Sequence, residues 1–279
     1  MKKWHMVVDL EKCVGCYNCM LACKDEHIGN DWSPYTGPQA KHESPWINPE
    51  KHERGAAPYT EVCFVTKTCQ HCDNPKCAQV APEAVKKRPD GIVLLDTARA
   101  KGNEALKKAC PYGAIQWNEE SNTAQKCTMC AHLLDQGWKE PRCVQACPLR
   151  ALSVVYCEDF EFEKMVENQK LKPLTDGSNQ PRVLYKNLYK YNKCFIKGAI
   201  AYKNGERMDA ATQAKVRLLM NDMEIKETYA DFLGEFKFDR IPKNSGTFTL
   251  EYTLDGYEAV TQEVEIKEES VTVPLVEFQ

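Results

Sequence analysis

Residues 13–23 of the chain read CVGCYNCMLAC, which is a C-x2-C-x2-C-x3-C run. This spacing is typical of loops that bind iron–sulfur clusters, in which three cysteines of a tight loop bind one four-iron cube and the fourth binds a second cube. The cube bound by Cys13, Cys16 and Cys19 therefore needs a fourth cysteine from later in the chain. The second cube, bound by Cys23, needs three further cysteines. The run predicts that its partner lies elsewhere in the sequence.

That partner is a cysteine group that ends in Cys147 and Pro148. The group consists of Cys127, Cys130, Cys143 and Cys147, which follow the pattern C-x2-C-x12-C-x3-C. In bacterial ferredoxins the two loops exchange their last cysteine, and the same exchange here predicts two clusters. The predicted ligands of cluster 1 (the first set) are Cys13, Cys16, Cys19 and Cys147, and those of cluster 2 (the second set) are Cys127, Cys130, Cys143 and Cys23.

A third cysteine group, C-x2-C-x4-C over residues 69–77, lacks its fourth member. Four places after Cys77 the chain has Ala81, although Ala81-Pro82 still resembles Cys110-Pro111. A complete run ending at Cys110 would need three further cysteines that are also absent. The four replaced positions are Ala81, Ala100, Asn103 and Leu106. Under the exchange rule all four positions would have served the same cluster. Their absence therefore removes one cluster and leaves the ligand set of the neighbouring cluster complete. The predicted ligands of cluster 3 (the third set) are Cys69, Cys72, Cys77 and Cys110.

Other roles for these residues are weighed against iron–sulfur binding. The cysteines of residues 127–147 alone would also fit a loose zinc-ribbon pattern. The four cysteines within residues 13–23 match a cube better than a tetrahedral zinc site, which favours clusters for the whole set. His71 and His132 lie inside or beside cysteine loops, where hydrogen bonding to cluster sulfur or plain packing is expected rather than ligation. The remaining cysteines, Cys63, Cys157 and Cys194, are expected to be buried or half-buried thiols.

Composition limits the classes of function. The chain has 279 residues, a net charge of −3 and 43% hydrophobic residues. This balance offers no basic field for nucleic acid. No apolar stretch approaches the roughly 20 residues of a membrane span, and the start has no apolar run of signal-peptide length. We expect a soluble protein that is cytoplasmic unless a partner carries it out. Thiols are kept reduced in that compartment, so 15 cysteines favour metal binding over disulfides.

The remaining pattern predicts an α+β chain. Residues 1–157 are expected to form a duplicated, bacterial-ferredoxin-like domain carrying three [4Fe-4S] clusters, in which residues 26–67 are a loop insertion. That insertion either covers a cluster, forms a flap over its own core or meets another protein. Residues 158–190 are expected to form a polar helix and a linker arm. Residues 191–279 change to a period-two pattern with an Asn204-Gly205 turn of type I′, which predicts a C-terminal all-β sandwich, transthyretin-like (prealbumin-like) in type.

The cluster chemistry predicts electron transfer. Cubes held by four thiolates have no open coordination site, so no catalytic residue is assigned and the acceptor chemistry is expected on a partner. Lys67, Lys76 and Lys126 flank cluster loops, and one hypothesis is that their charge raises the potentials of nearby clusters. The alternative is that all three are solvated surface lysines.

Several stretches resemble the iron–sulfur subunit of molybdopterin enzymes of the dimethyl sulfoxide reductase family. They are the segment around Trp46, residues 68–77, the Cys110-Pro111-Tyr112-Gly113 turn and residues 126–130. The loss of one cluster and the C-terminal sandwich, together with residues 185–189 and 232–238, narrow the resemblance to subunits of a transhydroxylase that acts on phenolic rings.

This resemblance implies a heterodimer. The partner would be a large catalytic subunit holding molybdenum–bis(pterin guanine dinucleotide), and the present chain would supply the three clusters. Two alternatives stay open at this point: the electron-input subunit of a related molybdenum reductase such as a catechol dehydroxylase, and a free-standing polyferredoxin whose β-sandwich binds an unrelated protein.

Overall fold

The computed structural model describes residues 1–42 and 45–279, and the chain divides into two compact units. The first unit comprises Met1–Lys51 and Cys63–Leu188, and the second comprises His52–Val62 and Tyr189–Gln279. The expected arm, residues 158–190, therefore lies almost entirely within the first unit. Residues 52–62 of the expected insertion lie in the second unit, and residues 43–44 of the insertion are outside the described part of the chain.

A three-stranded sheet with the order β8-β1-β9 organises the first unit. Its strands are β1 (Lys3–Asp9), β8 (Leu152–Cys157) and β9 (Val183–Lys186). The central strand pairs antiparallel with β8 and parallel with β9, so that Met6 lies opposite Val154 on one side and Val183 on the other. The apolar run Met6-Val7-Val8 is buried, as expected for a strand with a neighbour on each side. The strand begins at Lys3 and thus extends beyond the apolar run.

Three two-stranded hairpins lie between β1 and β8 in the sequence. They are β2 (Ile47–Arg54) with β3 (Glu61–Thr68), β4 (Val85–Lys87) with β5 (Val93–Leu95), and β6 (Gln116–Asn118) with β7 (Thr123–Gln125). The expected loop insertion is thus partly regular structure. Trp46, just before β2, is buried, and its ring centroid lies 4.7 Å from that of His27. This packing favours the flap alternative for that end of the insertion.

The helices are short, and several of them carry cysteines. They are α1 (Asn18–His27), α2 (Lys76–Val80), α3 (Ala105–Ala109), α4 (Ala131–Asp135), α5 (Arg142–Gln145), α6 (Asp159–Gln169) and α7 (Tyr189–Asn192). Tyr17 precedes α1 with φ 59°, and Cys130 precedes α4 with φ 48°. These left-handed residues turn each cysteine loop sharply into its helix.

The polar helix predicted from residue 158 is α6. Glu158 and Glu161 form a reciprocal capping box at its N-terminus. Phe162 is buried with Val7 and Leu184, so the helix packs on the central sheet of the first unit. The expected arm is therefore part of the ferredoxin-like unit, because an apolar face of α6 and strand β9 both need that sheet to be buried.

The second unit contains two sheets. The first consists of β10 (Lys193–Asn204) flanked by β11 (Arg207–Ala210) and β14 (Glu235–Pro242), with β17 (Val271–Thr272) and β18 (Val276–Phe278) also pairing with β10. The second has the order β13-β12-β15-β16, built from β12 (Lys215–Met220), β13 (Met223–Tyr229), β15 (Gly246–Thr253) and β16 (Val260–Ile266). One apolar core takes side chains from both sheets, among them Phe236 and Leu250. Two sheets around one core make a β-sandwich; its transthyretin-like type stays a prediction.

The turn between β10 and β11 differs from the prediction. Asn204 pairs with Arg207, so the two central residues are Gly205 and Glu206 rather than Asn204 and Gly205. Only Gly205 has a positive φ, of 63°. A glycine with a positive φ at the first central position is typical of a type II′ turn, whereas type I′ needs a positive φ at both central residues. The predicted hairpin is present, and its predicted turn type is wrong.

Candidate iron–sulfur centres

The first set converges around one cavity. Its lining includes all four predicted cysteines, Cys13, Cys16, Cys19 and Cys147. The loop can turn this tightly because Gly15 has φ +68°, and a Cβ atom there would lie 2.2 Å from the Phe64 ring. Cys16 is exposed and Cys19 is buried. Burial, together with the smaller effect of the charge of Cys13, raises the pKa of Cys19 to about 12.

The second set is buried throughout. Cys23, Cys127, Cys130 and Cys143 all have low solvent exposure. Burial raises the pKa of Cys143 well above its ordinary value, and the charges of Cys130, Cys127 and Cys23 act in the same direction. The mutual repulsion identifies these four thiols as neighbours, although Cys23 comes from α1 and the others from beyond β7.

The third set lines a second cavity, which we call the third-set cavity. Its wall contains Cys69, Cys72, Cys77 and Cys110 together with Lys126 and Tyr112. Burial, together with the smaller effects of the charges of Cys69, Cys110 and Cys77, raises the pKa of Cys72 to about 12. The structure thus brings together all three predicted groups of four.

The donor sets fit four-iron cubes better than single zinc ions. A zinc ribbon would need Cys143 and Cys147 at one ion, yet Cys147 lies with the first set and Cys143 with the second. Among residues 1–42 and 45–279, no three histidine, cysteine or carboxylate side chains lie close enough to bind one ion. Each set offers four soft sulfur donors that repel one another when ionised, and a cluster with bound iron supplies the compensating positive charge.

The three sets form a row. The charge of Cys19, in the first set, raises the pKa of both Cys23 and Cys143, in the second. The charge of Cys69, in the third set, raises the pKa of Cys127, in the second. The second set therefore lies between the other two, an order that suits stepwise electron movement.

Three of the four positions where a cysteine is absent carry buried apolar side chains. Ala81, Ala100 and Leu106 are each 0% exposed, and Asn103 is half-buried. The surrounding apolar cluster consists of Ala81, Ala84, Val85, Val93, Leu95, Ala100, Leu106, Ile115, Trp117 and Ala124. Cys77 and Cys110 of the third set pack against it.

Neither predicted histidine contacts a cluster cysteine in the hydrogen bonds of the described residues. His71 accepts a hydrogen bond from the Val93 N–H at Nδ1 (3.0 Å). His132 Nε2 lies 3.0 Å from Glu26 Oε1, and its ring stacks on Trp32 at 4.1 Å. Burial lowers the pKa of His71 well below its ordinary value, so its imidazole is neutral.

His27 is the histidine that sequence reasoning missed. Its Nε2 lies 3.9 Å from Cys130 Sγ, within hydrogen-bond distance for sulfur. Burial lowers the pKa of His27 to about 3, so the ring is neutral at neutral pH. The available signal was spacing, because His27 lies four residues after Cys23 on α1 and thus shares its helix face.

The three lysines have different environments. Lys67 forms an ion pair with Glu50 at 2.7 Å, and Lys76 is exposed. Lys126 is 2% exposed, which contradicts a solvated surface position. It precedes the loop of Cys127 in sequence, yet its side chain lines the third-set cavity. The leftover thiols match expectation: Cys63 and Cys194 are buried and Cys157 is half-buried.

Comparison with known proteins agrees with this geometry. Over 100% of both chains, the sequence is 37% identical to the pyrogallol hydroxytransferase small subunit of Pelobacter acidigallici. The protein belongs to this family. A 4Fe-4S dicluster domain matches residues 60–156, and a 4Fe-4S binding domain matches residues 4–25. Within the family, the chain is an iron–sulfur electron-transfer subunit of molybdopterin enzymes.

More distant relatives of the family share part of the chain. A subunit of the tetrathionate reductase of Salmonella typhimurium is 36% identical over 52% of this chain and 54% of its own. A subunit of the anaerobic dimethyl sulfoxide reductase of Escherichia coli is 36% identical over 54% of this chain and 72% of its own. A solved 5-hydroxyisourate hydrolase from Klebsiella pneumoniae matches 30% of this chain and 90% of its own at 12% identity, with a TM-score of 0.25, which is too low to assign a fold. No helix of the described residues is long and apolar enough to cross a membrane.

Proposed function

We propose that the protein holds three [4Fe-4S] clusters through twelve cysteines. The observation that carries this proposal is the convergence of widely separated cysteines into three groups of four. Cys147 meets the loop of Cys13, Cys23 meets the loop of Cys127, and Cys110 meets the loop of Cys69. Each pairing follows the exchange rule for paired clusters, and each group has the four thiolates that one cube needs.

The proposed partner is a large catalytic subunit holding molybdenum–bis(pterin guanine dinucleotide). When bound, that group supplies the redox chemistry at the substrate, which we propose to be the conversion of pyrogallol to phloroglucinol. The full-length similarity to a pyrogallol hydroxytransferase small subunit supports this assignment. The transfer of a hydroxyl between phenolic rings is redox-neutral overall, so the clusters would poise or reset the metal. We place the complex in the cytoplasm.

In this function the chain's own residues bind clusters, set their order and exclude water. The second set is buried on all four cysteines, and the third set is closed on one side by the apolar cluster. The exposed Cys16 marks the first set as the one nearest to solvent. No residue of this chain is assigned a catalytic role.

The decisive experiment is anaerobic copurification of a tagged chain with its large subunit, followed by metal analysis. We expect roughly twelve irons per small subunit, from three four-iron cubes, and one molybdenum per complex. A colourless, iron-free protein would overturn the proposal. Recovery of the iron protein without a pterin-containing subunit would instead favour a free-standing polyferredoxin.

A second function is favoured by the row of three sets, since a row suits net electron flow. In that case the chain is the electron-input subunit of a related molybdenum reductase such as a catechol dehydroxylase. Incubation of the complex with a trihydroxybenzene and no reductant separates the two. Turnover under these conditions supports the transhydroxylase, and strict dependence on an added electron donor supports the reductase.

A further inference from the structure

Lys126 is a buried cation with an unusual set of partners. Its Nζ donates hydrogen bonds to two backbone carbonyls, those of Val93 and Cys127, the latter at 3.2 Å. An ammonium group has three N–H donors, so one donor remains after these two bonds. Within the part of the chain that the structure describes, Lys126 forms no ion pair with a carboxylate. A buried ammonium without an acidic partner is costly unless another negative group compensates it.

The third-set cavity contains the groups that can compensate it. The side chain of Lys126 lines this cavity together with all four cysteines of the set. Burial raises the pKa of Cys77 and of Cys110, and the positive charge of Lys126 opposes the rise in both. The ammonium is therefore close enough to act on these sulfur atoms.

The cations near the other two sets are more exposed or already paired. Lys12, beside the first set, is exposed. Arg142, beside the second, is partly exposed and lies 3.3 Å from Glu26. Lys24, also near the second set, is half-buried and donates to the Ala40 carbonyl at 2.7 Å. Solvent and paired carboxylates screen such charges, whereas a buried unpaired charge keeps its effect.

A positive charge beside a cluster favours the reduced state, because reduction adds one negative charge to the cube. The third set is also the end of the row, with the second set on one side and the apolar cluster on the other. We propose that Lys126 gives the cluster held by the third set the highest midpoint potential of the three, so that an electron taken up by this subunit is stored there. This inference rests on the proposed function, since it requires three clusters.

The test is an anaerobic redox titration of the purified complex, with dithionite as reductant and detection by electron paramagnetic resonance. The variant Lys126→Met removes the charge and keeps most of the volume. At a fixed potential, we expect the reduced-to-oxidised ratio of one centre to fall about tenfold, equivalent to about 59 mV for a one-electron couple. The first-set centre should keep its potential, and the second-set centre should shift less than the third-set centre, because the charge of Lys126 also acts on Cys127.

Two further variants control for packing and for general charge. Lys126→Arg retains a cation and should leave the affected centre close to its wild-type potential. Lys76→Met removes an exposed lysine that lines the same cavity and should change the ratio far less. The centre that responds to Lys126→Met should be the one that disappears in Cys110→Ser.

Unchanged potentials in Lys126→Met with full iron content would overturn the proposal, as would a larger shift of the first-set or second-set centre than of the third-set centre. If Lys126→Met loses iron, Lys126→Gln, which keeps an N–H donor without the charge, decides the matter by the same titration. A wild-type complex with fewer than three centres would contradict the proposed function instead, so the two failures are distinguishable.

Discussion

Two adjacent regions of the first unit, the third-set cavity and the apolar cluster, show opposite outcomes of the same duplicated motif. The third set keeps four cysteines and a buried lysine, whereas the neighbouring positions carry Ala81, Ala100 and Leu106 around Trp117. A buried thiolate without iron is unfavourable, and so is a void where a cube has been lost. The difference teaches that the second region lacks all four sulfur ligands at once: three of the positions carry buried apolar side chains and the fourth carries half-buried Asn103.

The largest effect is expected when the third set loses one of its four cysteines. Cys110→Ser should reduce the iron content from roughly twelve to roughly eight per chain, because three thiolates hold a cube poorly. Two centres should remain in the paramagnetic resonance spectrum. The matched control is Cys157→Ser, a half-buried thiol outside every set, which should retain all the iron. Loss of a different centre in Cys110→Ser would show that the ligand pairing is wrong.

The stability of the apolar cluster should depend on tight packing, as iron binding by the third set depends on its sulfur ligands. Leu106→Ala, at a position with 0% exposure, should lower the free energy of unfolding by about 2–5 kcal/mol because it leaves a cavity in the core. Iron content of the folded protein should not change. Chemical denaturation under anaerobic conditions measures the effect, and Leu21→Ala, at a leucine that is 58% exposed, should cost less than about 0.5 kcal/mol. Equal losses in both variants would mean that the cluster of apolar residues has no special role.

The stability of the third-set loop should depend on pH, because the loop contains a charged carboxylate, Asp73, whereas the apolar cluster consists of uncharged side chains. Asp73 lies in the loop of the third set and binds Arg182 Nε at 2.7 Å and Lys87 Nζ at 2.6 Å. Burial would raise the pKa of Asp73, but these two cations outweigh that effect and hold it below its ordinary value of 3.8. The ion pairs of Asp73 therefore stabilise the folded state fully when the pH is above the ordinary pKa of 3.8. This stabilisation is lost as the pH falls through the lower pKa of the folded state.

The variant Asp73→Asn tests this dependence. It should lower the free energy of unfolding by about 1.5–3 kcal/mol at pH 7, since it removes charge-assisted hydrogen bonds. The melting temperature, followed by loss of visible absorbance, should differ most between variant and wild type at pH 7, and the two should converge below pH 4. A constant difference across this range would exclude Asp73 as the group responsible.

The smallest expected effect concerns a neutral group, in contrast to the charged Lys126. His27→Phe removes the contact of Nε2 with Cys130 Sγ and should lower the midpoint potential of the second-set cluster, with less than a tenfold change in its reduced fraction. His27→Gln offers another N–H donor and should restore part of the change. If both variants have wild-type potentials, His27 serves packing against Trp46 alone.

The sequence predicted the site better than its surroundings. Spacing and the exchange of the last cysteine were enough to predict which twelve cysteines the structure brings together in three groups, because a cube demands four sulfur atoms whatever the intervening chain does. The β character of residues 191–279 was also readable from a period-two pattern, as in β15 and β16. These patterns lie within short stretches of sequence, so they can be recognised without knowledge of tertiary contacts.

Features set by distant contacts were less accessible. Lys126 directly precedes the loop of Cys127, and nothing in a linear pattern shows that its side chain reaches the carbonyl of Val93. The region 158–190 reads as a linker by composition, yet β9 pairs with a strand that lies more than half the chain away. The turn at Gly205 was misassigned because strand register, which only pairing fixes, decides which residues are central.

The position of β1 between β8 and β9 has a consequence for how the protein is made. On the ribosome, the loop of Cys13 emerges long before Cys147, and β1 emerges long before either of the strands that flank it. Neither the sheet nor the first set can close until nearly the whole first unit has been translated. The four predicted ligands of the first set therefore meet only after Cys147 has been translated, and a chain that terminated earlier would leave Cys13, Cys16 and Cys19 without their fourth partner.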